Sequence, residues 1–339
     1  MGDAIFLGLV FAGSVAGSVF YGRHARRIGV VATPNFRTLH EAVVPRGGGI
    51  GFGAIFVIAI ISLWASDRLP TALMLAIGVG GGIATAIGFI DDVHDIRAIV
   101  KLCLQVGLSV WFLVMAPESP LLPPFHGLSG ALDCFVLFVA LFLPVWMINL
   151  FNFIDGIDGM AISASVFVCT AAFLILLVTD GDKTLGLVVA LLGTASLGFA
   201  AVNLPPARVF MGDAGSIFLG YVIGALLLTT VSSGQISIWT WLTILAYFVA
   251  DTTTTTLCRI ALVRKWYGAH RSHAYQNLAR ILKSHSKVTY GVLLYNILWV
   301  LPLAIWSARA PAWGPFTAFF SLGPALLWTL RFGPRLSST

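Results

Sequence analysis

Apolar runs of roughly membrane-spanning length alternate along this chain with short segments that gather most of its ionisable side chains. A helix needs roughly 20 residues to cross the hydrocarbon of a bilayer. Runs suited to that role lie at about 4–21, 47–65, 71–90, 101–115, 132–149, 160–178, 184–204, 215–231, 236–257, 289–305 and 315–330. They are continuous rather than alternating residue by residue, which excludes a transmembrane β-barrel. The chain therefore reads as an all-α polytopic membrane protein of about eleven transmembrane helices. Residues 1–339 are expected to form one integral membrane domain.

Composition strengthens this reading. Of the 339 residues, 10% are charged and 58% hydrophobic, and the mean hydropathy is +0.94. A soluble domain carries about 25% charged residues. A soluble enzyme, a disordered chain, a coiled coil and a secreted disulfide scaffold are all excluded. Cys103, Cys134, Cys169 and Cys258 lie singly within or beside the spans, with no CxxC spacing. They read as buried small hydrophobes. The Pro-rich stretch 116–131 reads as a rigid connection with no room for an external domain.

Charge fixes an expected orientation. The first run has no basic segment ahead of it, and Arg23, Arg26 and Arg27 follow it. That suits a retained span with the N-terminus outside and the C-terminus in the cytoplasm. In this orientation every Lys and Arg except Arg68, Lys183 and Arg309 falls inside. The net charge of +6 is then mostly a topology signal, and a nucleic-acid partner is not expected. Every His but His126 also falls inside, as do Glu41, Asp91, Asp92, Asp95, Asp155, Asp158, Asp213 and Asp251. Ionisable groups at the ends of spans are costly and point to function. The expected active site is built by the cytoplasmic loops at about 22–46, 91–101, 149–160, 205–214 and 258–288.

Four clusters carry the chemistry. In GFIDDVHDI, Asp91 and Asp92 close the third span, with Asp95 one turn later. Adjacent carboxylates repel, and Mg²⁺ with a pyrophosphate would relieve that cost; the competing reading is a solvated helix end. In NLFNFIDGIDG, Asn149, Asn152, Asp155 and Asp158 recur every three residues and are expected to form one polar surface at the membrane edge. In NLPPARVFMGDAGSIFLG, Asp213 precedes a span, either as part of a third carboxylate loop on the same face or as a plain helix cap. The glycines beside it leave amides open to phosphate. In the last inside loop, His270, Arg271 and His273 are phosphate-binding types, although basic loops also contact lipid headgroups. Arg46 stands before a glycine run that close helix packing explains equally well. The threonines 252–256 read as low complexity.

These clusters, in this order and on one face, resemble the polyprenyl-phosphate N-acetylhexosamine-1-phosphate transferase family, also called glycosyltransferase family 4. The resemblance runs from PRGGGIGF at Pro45 to HRSHAYQ at Gln276. It rests on the paired aspartates with Lys101 and Gln105, on NxxNxxDGxDG, and on FMGDAGSIFLG. It implies a Mg²⁺-dependent enzyme of the bacterial inner membrane, with Mn²⁺ as a substitute. Such an enzyme transfers a sugar 1-phosphate from a UDP-N-acetylaminosugar to undecaprenyl phosphate and releases UMP. By the same resemblance, Asp91, Asp92, Lys101 and His270 are catalytic, with Asp92 or Asp91 as the base. Asp213 and Asp92 hold the metal. Asn149, Asn152, Asp155, Asp158, Asn203, Phe210, Arg271 and His273 bind substrate, Asn203 and Phe210 at the uridine.

AHRSHAYQ departs from the triple-His element of the peptidoglycan-precursor branch and is similar to transferases that start O-antigen or other surface polysaccharides, as in lipopolysaccharide biosynthesis. The muramyl-pentapeptide branch stays as an alternative. So does a secondary transporter using interfacial carboxylates, although transporter sites lie nearer the midplane. The segment 267–276 is expected to close over the sugar and select it. A homodimer is left open.

Overall fold

Each of the eleven expected runs falls mostly on helix. The computed structural model describes residues 2–27, 30–32, 43–116, 130–262 and 271–334. Its helices are α1 (Gly2–Ala25), α2 (Gly49–Ala65), α3 (Thr71–His94), α4 (Ala98–Met115), α5 (Ala131–Ile154), α6 (Met160–Val178) and α7 (Lys183–Asn203). They continue with α8 (Gly212–Ser232), α9 (Ile238–Ile244), α10 (Ala246–Leu262), α11 (Ala274–Leu282), α12 (His285–Arg309) and α13 (Gly314–Phe332). The strands β1 (Val31–Ala32) and β2 (Val44–Pro45) form a short antiparallel pair.

Among the described residues, eight helices are long and apolar enough to cross a bilayer: α1, α3 to α8, and α12. α2 is apolar but shorter, at 17 residues. The expected span 236–257 is two helices broken at Leu245, and α13 carries the expected last run. The protein is a multi-pass, helical membrane protein.

Two departures from the sequence reading bear on the site. The apolar run ending at 149 continues as helix to Ile154, so Asn149 and Asn152 stand on α5. Hydropathy fell there before the helix did, because the last turns find polar partners. The expected loop 258–288 contains α11 and the start of α12. AYQNLARIL buries Ala274, Tyr275, Leu278 and Ala279 at helical spacing, a stripe too short to register as a span. The Pro-rich connection 117–129 and residues 263–270 lie outside the described residues.

α8 is the central helix, buried along nearly its whole length. Membrane helices associate by packing small residues closely, and glycines let three neighbours reach this one. A Cβ on Gly49 of α2 would lie 2.0 Å from the Gly215 backbone nitrogen. A Cβ on Gly220 would lie 2.4 Å from Ile148 Cα of α5. On the third side a π turn over Met74–Val79 widens α3. The Ala76 carbonyl within it accepts a hydrogen bond from buried Tyr221 Oη at 2.6 Å. Tyr221→Phe should cost about 1 kcal/mol, read as a lower Tm of the purified protein. An unchanged Tm would mean that this bond contributes nothing.

The remaining helices enclose this centre. α6 and α7 are joined by Ser165 and Ser196, whose hydroxyls meet at 2.8 Å. Ser14 of α1 donates to Ala195 O at 2.6 Å, and Thr240 of α9 meets Ser307 of α12 at 2.9 Å. The cysteines divide: Cys169 is buried, Cys258 intermediate, and Cys103 and Cys134 exposed. The last two correct the expectation of burial, because they sit on the outward faces of α4 and α5, away from the helix–helix contacts.

Candidate active site

The site begins with backbone. Phe210 N donates to Pro45 O at 2.8 Å, Gly48 N to Phe210 O and Gly49 N to Met211 O, both at 2.9 Å. The glycine run after Arg46 is therefore laced onto the segment that opens α8. Gly212, at φ +70°, turns the chain where a Cβ would lie 2.4 Å from Asp92 Oδ2. Close packing does explain these glycines, and that packing delivers Arg46 to the carboxylates.

Asp92 caps α8. Its Oδ1 accepts from Asp213 N at 2.9 Å, its Oδ2 from Ala214 N at 3.0 Å, and Arg46 Nε lies 2.8 Å from Oδ1. Its side chain is fully buried. The amides that sequence offered to a phosphate are thus occupied by a carboxylate from α3. Asp213 is not the cap of its own helix. Its carboxylate turns instead to Asn152 Nδ2 at 3.0 Å, Lys101 Nζ at 3.3 Å and Arg46 Nη2 at 3.5 Å.

Asp91 completes the group. Its Oδ1 accepts from Ile96 N at 2.7 Å, and its Oδ2 ion-pairs with Lys101. One ammonium therefore bridges Asp91 and Asp213. Asn152 also donates to Ser216 Oγ at 3.1 Å, which holds its amide in place. Asp155, just past α5, adds a fourth carboxyl; burial, with Asp213 and Asp92 facing it, holds it well above the usual carboxylate range. Burial would lower the Arg46 guanidinium, but Asp92 and Asp213 outweigh it and hold it raised.

The other expected residues spread outward from this cluster rather than sharing one surface. Asn149 donates to Gln105 Oε1 and Val145 O, both at 2.8 Å, a turn deeper than Asn152. Asp158 faces away: its Oδ2 accepts from Ala207 N at 3.0 Å, and its Oδ1 lies 3.1 Å from His285 Nδ1. It braces the 205–207 turn against α12. Asn203 is buried and donates to Val209 O at 2.9 Å, shaping the same turn, while Phe210 is partly exposed beside it. His273 is buried, its ring 5.7 Å from Phe153 and 5.8 Å from Tyr275. Arg271 is partly exposed next to the undescribed stretch. His270 lies outside the described residues. Asp95 is exposed and ends α3 in the left-handed region, at φ 49°.

Sequence reasoning counted Asp251 among the inside carboxylates without giving it a role, passed over Tyr275, and left Arg46 balanced between packing and function. A carboxylate inside the run 236–257 was the available signal for Asp251, obscured by the threonines after it. Those are not low complexity in the fold: Thr252 and Thr255 are buried, and Thr255 Oγ1 donates to Asp251 Oδ1 at 3.3 Å.

Among the described residues, no group of three or more His, Cys, Asp or Glu is arranged as a metal cage. The donor set still suits a hard divalent cation. Asp91 and Asp213 turn oxygens to the same cationic group, and Mg²⁺ commonly uses one or two carboxylates with substrate phosphates.

Residues 74–231 match glycosyl transferase family 4. The chain is 33% identical over 285 residues to a probable undecaprenyl-phosphate N-acetylglucosaminyl 1-phosphate transferase of Bacillus subtilis, spanning 81% of this chain and 77% of that protein. It is 28% identical over 336 residues to a decaprenyl-phosphate N-acetylglucosaminephosphotransferase of Mycolicibacterium smegmatis, spanning 89% and 80%. It is 32% identical over 222 residues to the undecaprenyl-phosphate alpha-N-acetylglucosaminyl 1-phosphate transferase of Escherichia coli K12, spanning 62% and 58%.

Proposed function

The chain belongs to glycosyl transferase family 4, the polyprenyl-phosphate N-acetylhexosamine-1-phosphate transferases, and we propose that it transfers a sugar 1-phosphate from a UDP-N-acetylaminosugar to undecaprenyl phosphate. UDP-N-acetylglucosamine is the first donor to expect, since the relatives' names specify that sugar. The observation that carries the proposal is the ion-pair network of Arg46, Asp91, Asp92, Lys101 and Asp213, brought together from three helices and the segment before α2. Anionic substrates need such alternating charge, with cations for the phosphates and carboxylates to hold the cations in place. A transporter would need its carboxylates nearer the middle of a span.

In the proposed reaction an acceptor phosphate oxygen bonds to the β-phosphorus of the donor. The bond from that phosphorus to the bridging oxygen breaks, and UMP leaves with the electron pair. Lys101 and Arg46, with side chains 29% and 42% exposed, can reach substrate oxygens while remaining tied to the carboxylates. Asp213 and Asp91 would hold Mg²⁺, which supplies charge neutralisation at the pyrophosphate. Asp92 has both oxygens committed to amides and Arg46, and Asp91 is tied to Ile96 N and Lys101, so neither stands as a free base. An acceptor phosphate with a second pKa near 6 is largely ionised at neutral pH, and holding it matters more than deprotonating it.

The charge asymmetry of the loops supports a cytoplasm-facing site in the bacterial inner membrane. The departure at AHRSHAYQ supports a surface-polysaccharide role over the muramyl-pentapeptide branch. His273 is too enclosed to meet a sugar directly, so selection by this segment would fall to Arg271 and its undescribed neighbours. Purified protein given undecaprenyl phosphate and a panel of UDP-sugars is expected to release UMP and form a lipid-linked sugar diphosphate. Absence of UMP from every donor, with Mg²⁺ present, would refute the assignment.

A further inference from the structure

Asp251, on α10, is fully buried. Its Oδ1 accepts from Ala274 N at 2.9 Å and its Oδ2 from Tyr275 N at 3.5 Å, while His273 Nδ1 lies 3.7 Å from Oδ1. A carboxylate buried among apolar helices is stabilised by amides and the positive end of a helix. Asp251 thus anchors the start of α11 from another helix, as Asp92 anchors the start of α8.

The anchored segment in turn touches the turn that serves the site. Tyr275 Oη donates to Phe153 O at 2.6 Å. Burial keeps that hydroxyl well above its ordinary pKa, so it remains a donor. Gly156 packs so closely on α11 that a Cβ there would lie 2.2 Å from Tyr275 Oη and 2.4 Å from Gln276 Nε2. His273 lies against Phe153. The next residue back is Asn152, whose amide holds Asp213.

We propose that Asp251 is a positioning residue for the catalytic cluster: by fixing α11 it holds residues 153–156, and through them sets Asn152 on Asp213. The activity arm of its test rests on the proposed transferase function, whereas a structural arm does not. In full-length protein, Asp251→Asn is expected to speed amide exchange both at 274–278 and at 152–157. Its kcat should fall about 10- to 100-fold, the scale of an ångström-sized misplacement, with donor KM held. Tyr275→Phe, which removes one hydroxyl, should loosen 152–157 and lower kcat less, and it carries the test if Asp251→Asn does not accumulate. In an Asn152→Ala background, Asp251→Asn should cost little more, since both act through one contact. Faster exchange confined to 274–278, or losses that multiply in the double variant, would overturn the proposal. A wild-type protein without transferase activity would instead refute the proposed function, and the exchange measurement would still decide the coupling.

Discussion

Asp213→Asn should lower turnover by roughly 10³-fold, at the upper end of the effect of removing one electrostatic group from a preorganised site. The substitution keeps the shape and removes the charge on which Asn152, Lys101 and Arg46 converge. An amide there can still accept one hydrogen bond but presents donors toward a lysine. Asp91 and Asp92 remain to hold the two cations, so the fold should persist. UMP release, measured beside the yield of membrane-inserted protein, separates the two effects. Near-wild-type turnover at ordinary Mg²⁺ would remove Asp213 from the centre of the reaction.

Asp91→Asn and Asp92→Asn should fail differently, although the residues are adjacent. Asp92 receives two amides and a guanidinium while wholly buried. Asn in its place accepts at one position only: with its oxygen toward Asp213 N and Arg46, it turns an NH2 to the Ala214 amide, and Arg46 loses its closest countercharge. Arg46 is part-exposed, so the cost is that of a lost hydrogen bond between a buried group and a charged one, about 1.5–3 kcal/mol, and Asp92→Asn should lower the Tm and the yield together with activity. Asp91→Asn leaves Lys101 still paired with Asp213, and should lose activity with a smaller change in Tm. A Tm for Asp92→Asn equal to that of the wild type would show that the α8 cap does not depend on its charge.

The membrane helices were legible because apolar runs of this length serve few other ends. The cluster was legible in outline, since Asp91, Asp92, Lys101, Asn152 and Asp213 do meet. Roles within it were not. Neighbouring residues on a helix point about 100° apart, and only the arrival of α8 decides which aspartate becomes a cap. Asp158 shares a spacing with Asn152 but leaves the helix after Ile154, so the turn sends it to Ala207 and His285. Arg46 depends on main-chain hydrogen bonds between 45–49 and 210–211, and such bonds leave no side-chain signature. α11 was hidden because its apolar stripe is only a few residues long.

The cap that Asp92 places on α8 also sets an order of assembly. Asp92 and the amide it binds are 121 residues apart, a delay of roughly 6–24 s at ordinary rates of synthesis. During that interval the newly inserted α3 carries two carboxylates at its end with no helix start to receive them. A nascent chain stopped before α8 therefore holds hydrated acids in place of a site, and quality-control proteases would meet it as an open bundle. The site cannot close before α8, the helix that both fills the centre of the bundle and brings the amides that Asp92 binds.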